Sequence, residues 1–132
     1  GIEEWVVKRM EKERMGQWLA FTNQHQAIEA RLEQALKAES NLSLNEYYVL
    51  YYLEKTPNHS MRLNDLIAHF DLSQSAMSRM IMRMEDKLCG VIERHSCQDD
   101  KRGIYIDLTQ SGEKKLQRSK VVFEKVLEEM LD

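Results

Sequence analysis

Gln74, Ser75, Ser78, Arg79 and Arg83 are spaced to share one side of a helix, and Asp100, Lys101 and Arg102 follow as a short charged cluster. Hydroxyl and amide groups beside guanidiniums, with no carboxylate from Leu72 until Glu85, make a surface suited to phosphates and base edges. Arginine grips guanine with two hydrogen bonds, while serine and glutamine fill smaller contacts. No nucleophile–base–orienter set and no phosphate-cradling glycine loop competes with that chemistry, so no enzyme is expected. His25, His59, His69 and His95 fall on separate elements without ligand spacing, so neither a metal nor a cofactor is expected.

The elements around these residues can be read from periodicity. Met77, Met80, Ile81, Met84 and Leu88 recur at i, i+3, i+4, i+7 and i+11, an apolar stripe opposite the polar face. Met82 lies off that stripe. Ser73 is placed to cap the helix. Upstream, Leu66, Ile67 and Phe70 mark a short amphipathic helix ending at Asp71 and Leu72, with Asp71 expected to adopt left-handed dihedrals at the corner. Downstream, residues 90–94 and 104–108 read as strands, the second with period-two alternation. Residues 96–103 read as a polar loop too long for a tight turn. Residues 61–63 are a candidate third strand. Helix, turn, helix and a hairpin with a basic tip make a winged helix-turn-helix.

Long helices flank this core. Residues 3–39 contain no proline and one glycine, Gly16, where a kink is expected. Trp18, Phe21, Thr22, His25, Ile28, Leu32, Ala35 and Leu36 form a stripe that Ile2, Val6 and Met10 extend. A helix of about 55 Å overruns a domain of this size, and its excess apolar surface needs a partner. Ser43 with Glu46 is a capping box opening the next helix, and residues 56–60 end it in a turn. Thr109 is placed to cap a last helix running to Leu131. The expected fold is mainly α with a small antiparallel β-hairpin, one domain over residues 1–132. Residues 44–108 form the winged helix-turn-helix core, and 1–40 and 111–132 are dimerisation helices. Two such helices point to a homodimer rather than a monomeric tail or coiled-coil stub.

Composition frames the reading. The 132 residues carry a net charge of −3, and residues 71–103 hold equal numbers of basic and acidic side chains. Binding to a polyanion would therefore rest on placement, with Arg79, Arg83, Lys101 and Arg102 forward and Glu85, Asp86 and Glu93 turned elsewhere. No apolar run approaches the roughly 18 residues of a membrane span, and no signal-peptide pattern is present, so a cytoplasmic protein without a membrane partner is expected. Cys89 and Cys97 are then expected as free thiols.

Residues 66–108, followed by Thr109-Gln110-Ser111-Gly112, resemble the multiple antibiotic resistance regulator (MarR) family of bacterial transcription factors. Residues 99–109 are similar to that family's wing, in which an Asp-x-Arg element, here Asp100-Lys101-Arg102, precedes an alternating strand and a Leu-Thr-x-x-Gly helix start. Leu72-Ser73-x-Ser75-x-x-Ser78-Arg79 is similar to its recognition helix, with Ser78 where threonine is common. The chain departs from the pattern at Asp71, where glycine is frequent, and at Gly90, which comes late. The resemblance implies a homodimeric repressor that reads a pseudo-palindromic operator in double-stranded DNA. Arg102 would enter the minor groove while Asp100 holds the loop. The resemblance also implies a pocket for a small aromatic effector, for which Trp18, His25, Tyr47 and Tyr51 are candidates, against plain core packing for all four. A rival reading keeps the fold but makes it a protein–protein interaction module without DNA binding. The acidic charge favours that rival and the arginine-bearing face opposes it.

Overall fold

Asn41 turns the chain out of its first helix with a left-handed φ of 53°, and its N–H and that of Leu42 close back on the carbonyls of Lys37 and Leu36. That helix, α1, runs unbroken over Ile2–Ser40. Gly16 does not interrupt it, because one glycine lowers helix propensity by only about 1 kcal/mol. The computed structural model describes residues 1–86, 90–97 and 100–131, excluding the side chains of Cys97, Asp100, Lys101 and Arg102. Cys89 and the side chain of Cys97 therefore lie outside the described residues, as does the stripe residue Leu88.

The remaining elements follow in order: α2 (Leu44–Glu54), a 3₁₀ turn (Pro57–His59), β1 (Ser60–Arg62), α3 (Leu63–Ile67), α4 (Gln74–Asp86), β2 (Ile92–Cys97), β3 (Asp100–Leu108) and α5 (Gln110–Met130). Both halves of the α2 capping box form: Ser43 Oγ accepts from the Glu46 N–H at 3.1 Å, and Glu46 Oε1 accepts from the Ser43 N–H at 2.8 Å. Residues 60–62 do add a strand, giving an antiparallel sheet of order β1-β3-β2.

Two expectations are corrected. Asp71 does not take left-handed dihedrals; the non-glycine residues that do, among those described, are Asn41, Asn58 and His59. The link 68–73 is longer than the roughly three- to four-residue turn that joins most such helices, so the corner needs no left-handed residue. Among the described residues, the wing is strand rather than polar loop up to Cys97 and from Asp100 onward. β2 and β3 stay paired outward to Cys97 opposite Asp100, and a register shift between Ser96 and Cys97 absorbs the irregularity. Asp100, Lys101 and Arg102 thus begin β3 at the tip.

The core lies where α2, α4, α5 and the end of α1 meet the sheet. Leu36, Leu42, Leu50, Leu53, Leu66, Met77, Met84, Ile106 and Leu116 are fully buried within it. Phe123 of α5 stacks on Tyr47 of α2 with ring centroids 4.6 Å apart. The start of α5 is stapled to the strand entry. Thr109 Oγ1 accepts from the Gly112 N–H at 3.0 Å and donates to the Gly90 carbonyl at 2.6 Å.

Candidate nucleic-acid interface

Helix α4 divides as its periodicity predicts. Met77, Met80, Ile81 and Met84 are buried, while Gln74, Ser75, Ser78, Arg79 and Met82 are exposed. Ser73 caps the helix, its Oγ accepting from the Ala76 N–H at 3.1 Å. Four of the five predicted reading residues on this helix therefore share one solvent face backed by close-packed methionines. Close packing on that side holds the helix in place, so side chains on the outer face keep their relative positions.

Arg83 is the exception. It is half-buried, and its Nε donates to Glu46 Oε2 at 2.9 Å. Glu46 is 3% exposed and also completes the α2 capping box. Arg79 and Arg83, with Lys37 and Asn45, wall a groove of about 350 Å³ between α4 and the α1–α2 corner. The acidic groups near α4 are accounted for in part. Arg94 of β2 donates to Glu85 Oε1 from Nε at 2.9 Å and from Nη2 at 2.6 Å, neutralising the carboxylate at the far end of the helix. The bonds to Glu85 outweigh burial and hold the Arg94 guanidinium charged above its usual range. Asp86 and Glu93 are exposed.

In the wing, Asp100 pairs opposite Cys97 and Lys101 and Arg102 follow it within β3, and their predicted contacts fall outside the described side chains. The base of the wing holds a cluster that sequence reasoning missed. His95 stacks on Tyr105 at 5.4 Å and its Nδ1 lies 2.7 Å from Asp107 Oδ2, while Arg62 Nε donates to the Tyr105 hydroxyl at 3.3 Å. Cross-strand register brings these residues together, and no short-range sequence signal carries that register.

The structure does not assemble the four candidate effector residues. Trp18 is 57% exposed and stacks on Phe21, and His25 lies beside Glu29 on the open side of α1. Both sit on the part of α1 that outruns the body of the chain. Tyr47 and Tyr51 do line a cavity, of about 440 Å³ between α2 and α5, with Tyr48, Tyr52, Lys120 and Phe123. Burial, reinforced by Tyr51 and Glu54, pushes the Tyr47 hydroxyl up to about 12, so it stays a neutral donor at ordinary pH. At the rim, Lys120 pairs with Glu54, and Gln117 donates to the same carboxylate at 2.7 Å. Burial opposes the charge on Glu54, but these two partners prevail and hold it below the usual carboxylate range. The signal for this cavity was the tyrosine pairs of α2, each pair one turn from the other. Phe123 and Lys120 come from a helix far along the chain.

A family model for the transcriptional regulator SarA/Rot matches residues 31–119, which span the end of α1 through the first half of α5. The chain belongs to the SarA/Rot family of transcriptional regulators. Solved structures agree on a MarR-type winged-helix fold. The chain superposes on Sco3205, a MarR family transcriptional regulator from Streptomyces coelicolor solved in complex with DNA, with a TM-score of 0.83 and 22% identity, over 91% of this chain and 74% of that one. AbsC, a MarR family regulator from the same organism, gives 0.81 at 24% identity over 89% and 77%. MarR from E. coli, in its apo form, gives 0.72 at 21% identity over 87% and 80%. No sequence among curated proteins matches the chain. Among the described residues, no helix is long and apolar enough to cross a membrane.

Proposed function

We propose that this SarA/Rot family member is a homodimeric, sequence-specific DNA-binding regulator that acts as a repressor. The observation that carries the reading is the outer face of α4, where Gln74, Ser75, Ser78 and Arg79 stand exposed on a helix whose other side is fully packed. At about 20 Å, α4 fits lengthwise in a major groove about 12 Å wide. Lys101 and Arg102, at the wing tip, reach the phosphates and the neighbouring minor groove, with Asp100 holding the tip. Sco3205, which shares the fold, was solved in complex with DNA, and this supports DNA as the partner.

Surface area supports the dimer. A compact monomer of 15.6 kDa exposes about 7,250 Å², whereas this protomer exposes 9516 Å². Val7, Trp18 and Leu36 are separated by nearly whole numbers of 3.6-residue turns, so the face that α1 buries at its end continues, uncovered, toward its start. A second copy covers it, with residues 1–40 and 111–132 as dimerisation helices and 44–108 as the DNA-binding core. Two-fold symmetry then sets paired half-sites about 34 Å apart. The α2–α5 cavity, lined by tyrosines, suits a small aromatic effector that biases the spacing of the two reading helices.

Selection from a random duplex pool tests this reading. Recovery of an inverted repeat is expected, and enrichment of no sequence refutes it. The net charge of −3 favours a second reading, a winged helix that binds protein rather than DNA. Steep loss of DNA affinity with added salt separates the two, because counterion release belongs to a polyanion partner. Arg102→Ala is expected to weaken binding about tenfold with helicity intact in circular dichroism. Unchanged affinity in a gel-shift titration removes the wing from the mechanism.

A further inference from the structure

Glu46 joins two systems that the fold could have kept apart. Its Oε1 belongs to the α2 capping box and its Oε2 holds Arg83 Nε, so a buried carboxylate is pinned at one end to backbone and at the other to α4. The cap by itself does not require a charge, since glutamine fills the same position equally well. Desolvating a carboxylate is costly unless it is paired, and an apolar contact would pack α4 on α2 with less penalty. The charge at position 46 is therefore explained by Arg83. Arg83 in turn uses only Nε in this bond and remains 38% exposed at its side chain, on the wall of the same groove as Arg79 one turn earlier. Among the described residues, the bond to Glu46 is the one hydrogen bond its guanidinium makes.

We infer that Glu46 is a positioning residue for DNA recognition: by holding Arg83 at Nε, it presents the two Nη nitrogens to the duplex beside Arg79. The inference rests on the DNA-binding reading above and assigns within it a specificity role to a residue that touches no base. A guanidinium fixed in this way addresses a base end-on through its Nη pair, and less side-chain freedom is lost when it binds. Lysine at position 83 would pair with Glu46 but offer no second, planar pair of donors, since its three N–H groups share one nitrogen.

A double-mutant cycle on the full chain tests it, using the duplex that the wild-type protein selects from a random pool. Glu46→Gln keeps the cap and the side-chain volume, and is expected to weaken binding to that duplex roughly 30-fold, the low end of what a two-bond base contact is worth in each of two protomers. A fresh selection with Glu46→Gln should lose preference at the base pair under Arg83. In an Arg83→Gln background, Glu46→Gln is expected to change affinity by less than about twofold, because a residue that acts through another has no effect once that other is gone. Thermal midpoints of the four proteins separate positioning from folding. Additive losses in the double variant, or a Glu46→Gln protein that selects and binds the wild-type sequence unchanged, overturn the inference. If Glu46→Gln does not fold, Arg83→Gln against the double variant decides: equal affinities support it and unequal ones overturn it. A wild-type chain that enriches no sequence refutes the DNA-binding reading, and this inference falls with it. Enrichment by wild type with no change in Glu46→Gln refutes this inference only.

Discussion

Gly112→Ala is expected to lower the thermal midpoint by about 10–15 °C. A Cβ at position 112 would lie 2.0 Å from the Val91 carbonyl oxygen and 2.7 Å from the Leu108 Cδ1. Leu108 can turn aside, but Val91 is backbone entering β2, and its carbonyl already accepts from the Thr109 N–H at 3.2 Å. The start of α5 must therefore lift by more than an ångström. That movement breaks the Thr109 cap, whose oxygen serves both the Gly112 N–H and the Gly90 carbonyl. Overpacking costs about 1–3 kcal/mol, and loss of a cap adds about 1 kcal/mol. Circular dichroism melts at matched protomer concentration measure the sum, since a self-associating chain has a concentration-dependent midpoint. Gly16→Ala is the control. Nothing lies within 4 Å of the Cβ it would add, and mid-helix alanine is favoured over glycine by up to about 1 kcal/mol. A Gly112→Ala protein that melts with the wild type would mean that α5 does not seat on the strand entry as described.

The same glycine shows what was legible in the sequence. Leu-Thr-x-x-Gly was visible as a pattern, and its physics is a helix start pressed onto a strand with no room for Cβ. Local signals carried well in general. The Ser43 and Glu46 capping box, the methionine stripe of α4 and the alternation in β3 each depend on neighbours within about one helical turn or one strand. What failed was set by distance along the chain. Glu46 looked like a cap and nothing more, because Arg83 lies 37 residues away. Trp18 and His25 share a stripe with the buried Leu32 and Leu36, yet both stand exposed. Periodicity gives the face of a helix but not how far along it the body extends. The wing loop was overestimated for a related reason: Ser96, Asp99 and Lys101 are turn-forming or polar in isolation, yet the ladder continues through Cys97 and Asp100 once its partner strand is there.

Arg79→Ala is expected to cost about 100-fold in affinity for the selected duplex while leaving stability unchanged. Arg79 is exposed on the outer face of α4, and among the described residues its guanidinium has no ion-pair partner, so truncation leaves no buried group unsatisfied. A two-bond contact from arginine to guanine is worth about 1–3 kcal/mol. A dimer carries two copies, so about 1.4 kcal/mol from each multiplies to a hundredfold. How the loss is distributed identifies what Arg79 touches. If it reads a base, the newly selected sequence loses preference at one position in each half-site, and the slope of log affinity against log salt barely moves. If it touches phosphate, affinity falls uniformly across sequences and the slope drops by about 0.9 for each contact removed, hence by nearly two in a dimer. Base reading is the expected outcome, because Ser75 and Ser78 flank Arg79 on the same face and supply the smaller groups that a base edge needs. An Arg79→Ala protein with wild-type affinity and wild-type preference would take α4 out of the groove, and the case for DNA recognition by this face with it.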